Sequence, residues 1–208
     1  MYLHVSNLCQ ELINEWDLIP VERKSQLRQL SDYISRKIQE DTSVHLIVIC
    51  THNSRRSHMG QIWLSVAADY YGLDGIRTYS GGTEATAFNI RAVEAFRKLG
   101  FRITVSESDN DNHRYGILWS DNMNSSIAFS KRYDASPNPT ENFGAIMVCT
   151  QADEGCPIIA GADFRLSLPY EDPKAYDYTE LETEKYSERT RQIGREMLYA
   201  ISLAVALI

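Results

Sequence analysis

The 208-residue chain contains no apolar run approaching the roughly 18 residues of a membrane span. Its most apolar stretch, the tail "MLYAISLAVALI", is too short for that and reads as a last helix packed on the core or on a partner subunit. A long basic stretch is also missing. With 28 acidic against 21 basic residues the formal charge is −7, which excludes nucleic acid or an anionic membrane surface as the main partner. The opening "MYLHVSNLCQELINEWDLIP" lacks the basic start and apolar core of a secretory signal, so the expected location is the cytoplasm. Cysteines are few (Cys9, Cys50, Cys149 and Cys156), and no paired C-x2-C or H-x3-H spacing suggests a metal site or a bound cofactor. In a reducing cytoplasm, paired thiols are more often catalytic than structural.

What is present is ordinary in bulk. An apolar content of 43% and a charged content of 24% exclude disorder and fibrous classes, and the length suits one domain with additions.

Residues 1–43 read as a helical hairpin placed before the main domain. Leu8, Leu12 and Trp16 share one face, Leu27, Leu30, Ile34 and Ile38 share another, and Pro20 suits the start of the second helix. Residues 44–208 then alternate. "HLIVIC" is a strand, "SHMGQIWLSVAADYYG" a helix with Gly72 near its end, and "IRTYSGG" a strand and turn. "NIRAVEAFRKLG" is a helix closed by Gly100, "FRITVS" a third strand, "GAIMVCT" and "DFRLSLP" further strands, and a final helix starts near Thr179. The pattern predicts an α/β domain with a parallel four-stranded sheet and helices on both faces. Residues 106–143 break the alternation with two short strand-like runs, Tyr115 to Ser120 and Ser126 to Tyr133, joined through Asp121-Asn122-Met123-Asn124. This reads as a β-hairpin insertion, either surface decoration or a wall of a substrate cleft.

Parallel sheets place ligands at the carboxyl ends of their strands, and Cys50 ends the first one. Cys50 and Arg56 have the spacing C-x5-R, followed at once by Ser57. A loop curling from strand to helix aims backbone N–H groups inward, and the helix that starts near Ser57 adds the positive end of its dipole. Thr51, His52, Asn53, Ser54, Arg55, Arg56 and Ser57 therefore form a candidate cradle for a tetrahedral oxyanion. Arg56 can close it with a bidentate guanidinium, and the same field stabilises the Cys50 thiolate.

"CTHNSRRS" resembles the phosphate-binding loop of the low-molecular-weight protein tyrosine phosphatases and of the thioredoxin-coupled arsenate reductases that share their fold. "SHMGQIW" is similar to the reductases' helix opening, where the phosphatases usually have proline after the serine. "YSGGTEATAFNIRAVEAFRKLGFRI" is close to a reductase segment, and the likeness covers roughly residues 44–104 and 144–205. The resemblance implies that Cys50 is the nucleophile, Arg56 the oxyanion clamp, Asn53 a keeper of loop shape and Ser57 a thiolate stabiliser. "LPYEDPKAYD" resembles the family's Asp-Pro loop, which implies Asp172 as general acid. Some positions depart from the family. His52 stands for a usual glycine, Arg55 for a residue that is often cysteine, and Gln61 for a glutamate that in many reductases helps bind potassium. The side chain of Arg55 is expected either to tighten oxyanion binding or to face solvent.

A phosphatase needs one cysteine, whereas the reductases have two more at the spacing of Cys149 and Cys156, separated here by "TQADEG", a polar stretch with little reason to be rigid. Cys156 is followed by Pro157, as in the family. The resemblance implies a relay from Cys50 to Cys149 to Cys156, with arsenate as substrate and thioredoxin or glutaredoxin as electron donor. Two other readings stay open: a phosphatase acting on phosphomonoesters through Cys50, Arg56 and Asp172, and an oxyanion-binding protein without catalysis.

Overall fold

A computed structural model describes residues 1–106, 111–121, 126–156 and 158–208. Its order is α1 (Leu3–Asn14), a 3-10 turn (Trp16–Leu18), α2 (Val21–Gln39), β1 (Val44–Cys50), α3 (Arg56–Tyr70), β2 (Ile76–Gly82) and α4 (Ile90–Lys98). Then follow β3 (Arg102–Ser106), β4 (Arg114–Leu118), β5 (Ser126–Ala128), β6 (Phe143–Met147), α5 (Thr150–Gly155), β7 (Ala162–Ser167), a second 3-10 turn (Pro173–Tyr176) and α6 (Glu182–Ala206).

The main sheet has the order β2-β1-β6-β7, all parallel, as the strand and helix alternation predicts. Every residue of β1 except His45 is buried, because parallel strands covered on both sides have no solvent face. α3 lies close on this strand. A Cβ added at Gly60 would stand 2.7 Å from Val48, so the glycine sets the depth of packing. α6 crosses α3 equally tightly, with Gly194 against the Trp63 ring.

α1 and α2 bury Val5, Leu8, Leu12, Leu27, Leu30 and Ile34 in the same apolar core as the sheet. Ion pairs tie this hairpin to α6, from Glu15 to Arg191 and Arg195 and from Arg23 to Glu196. No helix among the described residues is long and apolar enough to cross a membrane.

"FRITVS" departs from expectation. It forms β3, but pairs antiparallel with β4 in a separate sheet of order β3-β4-β5 and not with the parallel strands. Its side chains explain this, since Arg102, Thr104 and Val105 are exposed and a central parallel strand would bury them. The antiparallel partner β4 pairs with β5 as a hairpin insertion requires. The joining residues 122–125 lie outside the described residues, as do 107–110 and Pro157.

Candidate active site

β1 delivers Cys50 to the carboxyl end of the sheet, where the thiol is buried and the chain turns through residues 51–55 into α3. Cys50 pairs in register with Gly82 of β2. A Cβ at Gly82 would meet the Thr51 carbonyl at 2.7 Å and the Asn53 nitrogen at 2.8 Å, so only glycine allows the loop to fold back over this strand end.

The loop's carbonyls are held outward. Thr83 N donates to Cys50 O (3.2 Å), Glu84 N to Thr51 O (2.8 Å), Thr86 Oγ1 to His52 O (3.0 Å) and Asn89 N to Ser54 O (2.9 Å). Among the described residues, no backbone N–H from Thr51 to Ser57 donates to a protein acceptor. Carbonyls turned out leave N–H groups turned in, the arrangement that a backbone anion cradle at a helix start requires. Asn53 sits in the left-handed region (φ 45°), a conformation asparagine tolerates better than most residues.

Around the sulfur, Ser57 Oγ lies 3.2 Å from Cys50 Sγ, and Asn53 Nδ2 donates to Ser57 Oγ at 2.8 Å. Arg56 opens α3 and donates from Nη1 to Tyr170 O (2.8 Å) and from Nη2 to Asp172 Oδ2 (2.7 Å). Asp172 also caps the turn after it, accepting from Lys174 N at 3.0 Å. Arg56, Cys149, Tyr170 and Asp172 line one cavity of about 300 Å³.

Tyr170 is itself braced from two helices. Its hydroxyl donates to Glu196 Oε2 (2.7 Å), Arg23 donates to the same oxygen (2.7 Å) and to Pro169 O (3.1 Å), and the Arg23 guanidinium lies 4.5 Å from the Tyr170 ring centroid.

Cys149 follows β6, whose pairing with β1 continues through Val148 N to Ile49 O (2.8 Å), so it arrives beside the Cys50 loop. Its buried sulfur lies 3.4 Å from Thr51 Oγ1 and accepts the Ala152 N–H at 3.4 Å. Cys156 caps the other end of α5 and is half-buried, and all four cysteines are free thiols. Here the structure corrects one expectation. The polar stretch between the two thiols is the helix α5, pinned to β7 where Asp153 accepts from Arg165 (2.5 Å) and Ser167 Oγ (2.6 Å).

Other sequence candidates fall differently. The His52 side chain is exposed, 3.7 Å from Glu84, an ion pair worth little at the surface. Ser54 Oγ donates to Ala87 O (2.8 Å), fixing the loop from outside. The Arg55 side chain turns neither into the N–H concavity nor out to solvent. Its guanidinium donates to Tyr186 OH (2.6 Å) and Asp177 Oδ2 (3.2 Å), which leaves only its backbone N–H for an anion.

Among its described residues the insertion lines no part of the Arg56 cavity, and it is tied to the Cys50 loop. Ser130 Oγ donates to His52 O (3.1 Å), Lys131 N to Asn53 Oδ1 (2.9 Å), Gly82 N to Lys131 O (2.9 Å) and Tyr133 N to Gly82 O (2.9 Å). Sequence reasoning missed this brace, because backbone donors carry no residue signature. The one local signal was "YSGG", two glycines in a strand, which marks close backbone approach.

Lys131 is buried, with Nζ 4.6 Å from the Phe129 ring centroid. Burial pushes its ammonium down to about 8. The neighbouring His58 is fully buried and stays neutral, held well below the usual histidine value first by burial and then by the Lys131 charge. Folding therefore penalises protonated Lys131, fully below pH 8 and progressively less as pH rises toward 10.5. The penalty at neutral pH is on the order of 3 kcal/mol. Lys131→Met should raise the thermal midpoint at pH 7, and the gain should shrink as scans move to alkaline pH.

No protein-family model matches the chain. Arsenate reductase 2 of Staphylococcus haemolyticus is 26% identical over 135 residues, 64% of this chain and 82% of that protein. The arsenate reductase of Bacillus cereus is 25% identical over 149 residues, 71% and 91% of the two chains. A low-molecular-weight phosphotyrosine phosphatase from Vibrio cholerae matches the fold with a TM-score of 0.53 at 13% identity, over 77% of this chain and 95% of that one. An arsenate reductase in a phosphate-binding state gives 0.50 at 15% identity, over 77% and 98%. By sequence the chain is similar to arsenate reductases, and its fold is that shared by low-molecular-weight protein tyrosine phosphatases and these reductases.

Proposed function

We propose that the chain is an arsenate reductase in which Cys50 is the nucleophile and Cys149 and Cys156 carry electrons away. The observation that supports this reading best is the position of Cys149, whose thiol touches the oxyanion loop through Thr51 and shares the Arg56 cavity. A hydrolase has no use for a second thiol there.

In this mechanism arsenate enters the N–H cradle and Arg56 swings from Asp172 to clamp it. The Cys50 thiolate attacks arsenic, and a hydroxyl of arsenate leaves as water with a proton from Asp172. Cys149 then attacks the Cys50 sulfur. The S–S bond forms as the S–As bond breaks, and its electron pair stays on arsenic, which departs as arsenite. Cys156 attacks Cys149 in turn, returning Cys50 as a thiolate and leaving a Cys149–Cys156 disulfide for an external dithiol such as thioredoxin or glutaredoxin in the cytoplasm.

The last exchange has a geometric demand. Cys149 and Cys156 flank a six-residue helix. At helical rise they stand about 10 Å apart, beyond the 4.4–6.8 Å between Cα atoms, roughly, that a disulfide tolerates. α5 must therefore unwind when the disulfide forms, and Asp153 must leave Arg165 and Ser167. Arsenate with thioredoxin, thioredoxin reductase and NADPH should give NADPH oxidation. Absence of turnover with both thioredoxin and glutaredoxin sinks this reading.

A phosphatase reading is favoured by a separate observation, the carboxylate of Asp172 lining the same cavity as Arg56. It needs only Cys50, Arg56 and Asp172, with hydrolysis of a cysteinyl phosphate replacing the thiol relay. Asp172→Asn should lower kcat for an aryl phosphate by about 10²-fold, as expected for loss of a general acid. Inorganic phosphate should inhibit that variant at least as well as wild type, because a negative charge beside the anion is gone.

A further inference from the structure

We propose that the insertion supplies the fixed end of a hydrogen-bond chain that holds the Cys50 sulfur as a thiolate, an inference that rests on Cys50 being the nucleophile. The chain starts at a group that can only donate. The backbone N–H of Lys131 meets Asn53 Oδ1 at 2.9 Å, and a backbone nitrogen has no acceptor role to offer. The Asn53 amide is therefore oriented with its oxygen toward the insertion and its NH₂ toward Ser57, where Nδ2 donates at 2.8 Å. The Ser57 oxygen is then occupied as an acceptor, and its single proton needs an acceptor elsewhere. Cys50 Sγ, 3.2 Å away, is the partner in place, and it accepts best as a thiolate. Flipping the Asn53 amide would set its NH₂ against the Lys131 N–H, donor against donor, so the insertion fixes which way the chain runs.

The starting point is itself clamped. Asn112 holds Ser130 from both sides, accepting from Ser130 N (2.9 Å) and donating to Ser130 O (2.8 Å), so the residue before Lys131 cannot drift. Gly82 N donates to Lys131 O (2.9 Å), which fixes the following peptide. The Ser130–Arg132 stretch thus bridges β2 and the oxyanion loop, with Gly82 and Arg132 forming a parallel bridge. Lys131 acts here as a positioning residue, through its main chain and not its ammonium.

The experiment is the pH profile of Cys50 alkylation by iodoacetamide, followed on the labelled peptide, in wild type, Lys131→Pro, Lys131→Met and Asn112→Ala. Proline removes the N–H and keeps the chain, whereas methionine removes the charge and keeps the N–H. Expected is a rise of about one pH unit in the Lys131→Pro midpoint, a tenfold loss of reactivity below it, a smaller rise in Asn112→Ala, and a Lys131→Met midpoint near wild type. If Lys131→Met moves as far as Lys131→Pro, the buried charge is responsible and the proposal falls. Should Lys131→Pro fail to fold, Asn112→Ala decides, and a midpoint unchanged from wild type overturns the proposal. A wild-type midpoint at that of a free cysteine peptide would instead remove the nucleophile reading beneath it.

Discussion

On the proposed reductase mechanism, Cys149→Ser should lose arsenate turnover by at least about three orders of magnitude, while Cys50→Ser should lose arsenate turnover and aryl phosphate hydrolysis together. The split follows from where the two sulfurs sit. Cys50 lies in the N–H cradle, and any covalent adduct of a tetrahedral anion passes through it. Cys149 lies outside the cradle at the end of β6, hydrogen-bonded to Thr51. A serine there preserves packing and can bond Thr51, but it cannot form a disulfide with Cys50, so the proposed relay would stop after the first step. Coupled NADPH oxidation and release of an aryl alcohol, measured on the same preparations, read the two outcomes. Loss of phosphate ester hydrolysis in Cys149→Ser would show that Cys149 shapes the cradle, whatever its part in the proposed relay.

Arg56→Lys should cost both activities about 10²–10³-fold in kcat/KM, the scale seen when one oxyanion donor is removed. In the structure the guanidinium reaches Tyr170 O and Asp172 Oδ2 with two different nitrogens. A lysine offers one compact charge and cannot hold the Tyr170 carbonyl while it turns toward an anion. Arg56 Nε lies buried without a partner among the described residues, so a bound anion would give that N–H an acceptor. The measurement is kcat/KM for arsenate and for an aryl phosphate. An equal loss on the two substrates is expected, because the clamp reads tetrahedral shape and charge and not the central atom. A loss confined to one substrate would contradict that role.

The strands that build the main sheet were legible in the sequence because their residues are buried on both faces, and "HLIVIC" and "GAIMVC" announce that directly. The C-x5-R loop was legible because a nucleophile and an arginine at that spacing need a strand-to-helix turn, and Cys50 and Arg56 sit on one. "FRITVS" misled for a physical reason. Its β-branched residues suit any strand, and only their exposure reveals which sheet they join. The destination of Arg55 was invisible, since Asp177 and Tyr186 lie more than a hundred residues away along the chain. The brace from the insertion was hidden for the opposite reason: apart from the Ser130 hydroxyl, the insertion makes it with main-chain groups that every residue possesses.

The bonds that Arg23 makes to Glu196 and Pro169 bear on where this protein can be cut. The sequence likeness begins near Val44, and a chain trimmed to that point would keep Cys50, Arg56, Asp172 and both downstream cysteines. Such a truncation would take Arg23 from Glu196 and lay open the face of α6 that α2 covers, exposing apolar surface that the full chain buries. It would also strip the cation from the ring of Tyr170, the residue whose backbone carbonyl accepts from Arg56. The boundary of a resemblance and the boundary of a foldable body are different lines here, and the second lies at least as far back as α2.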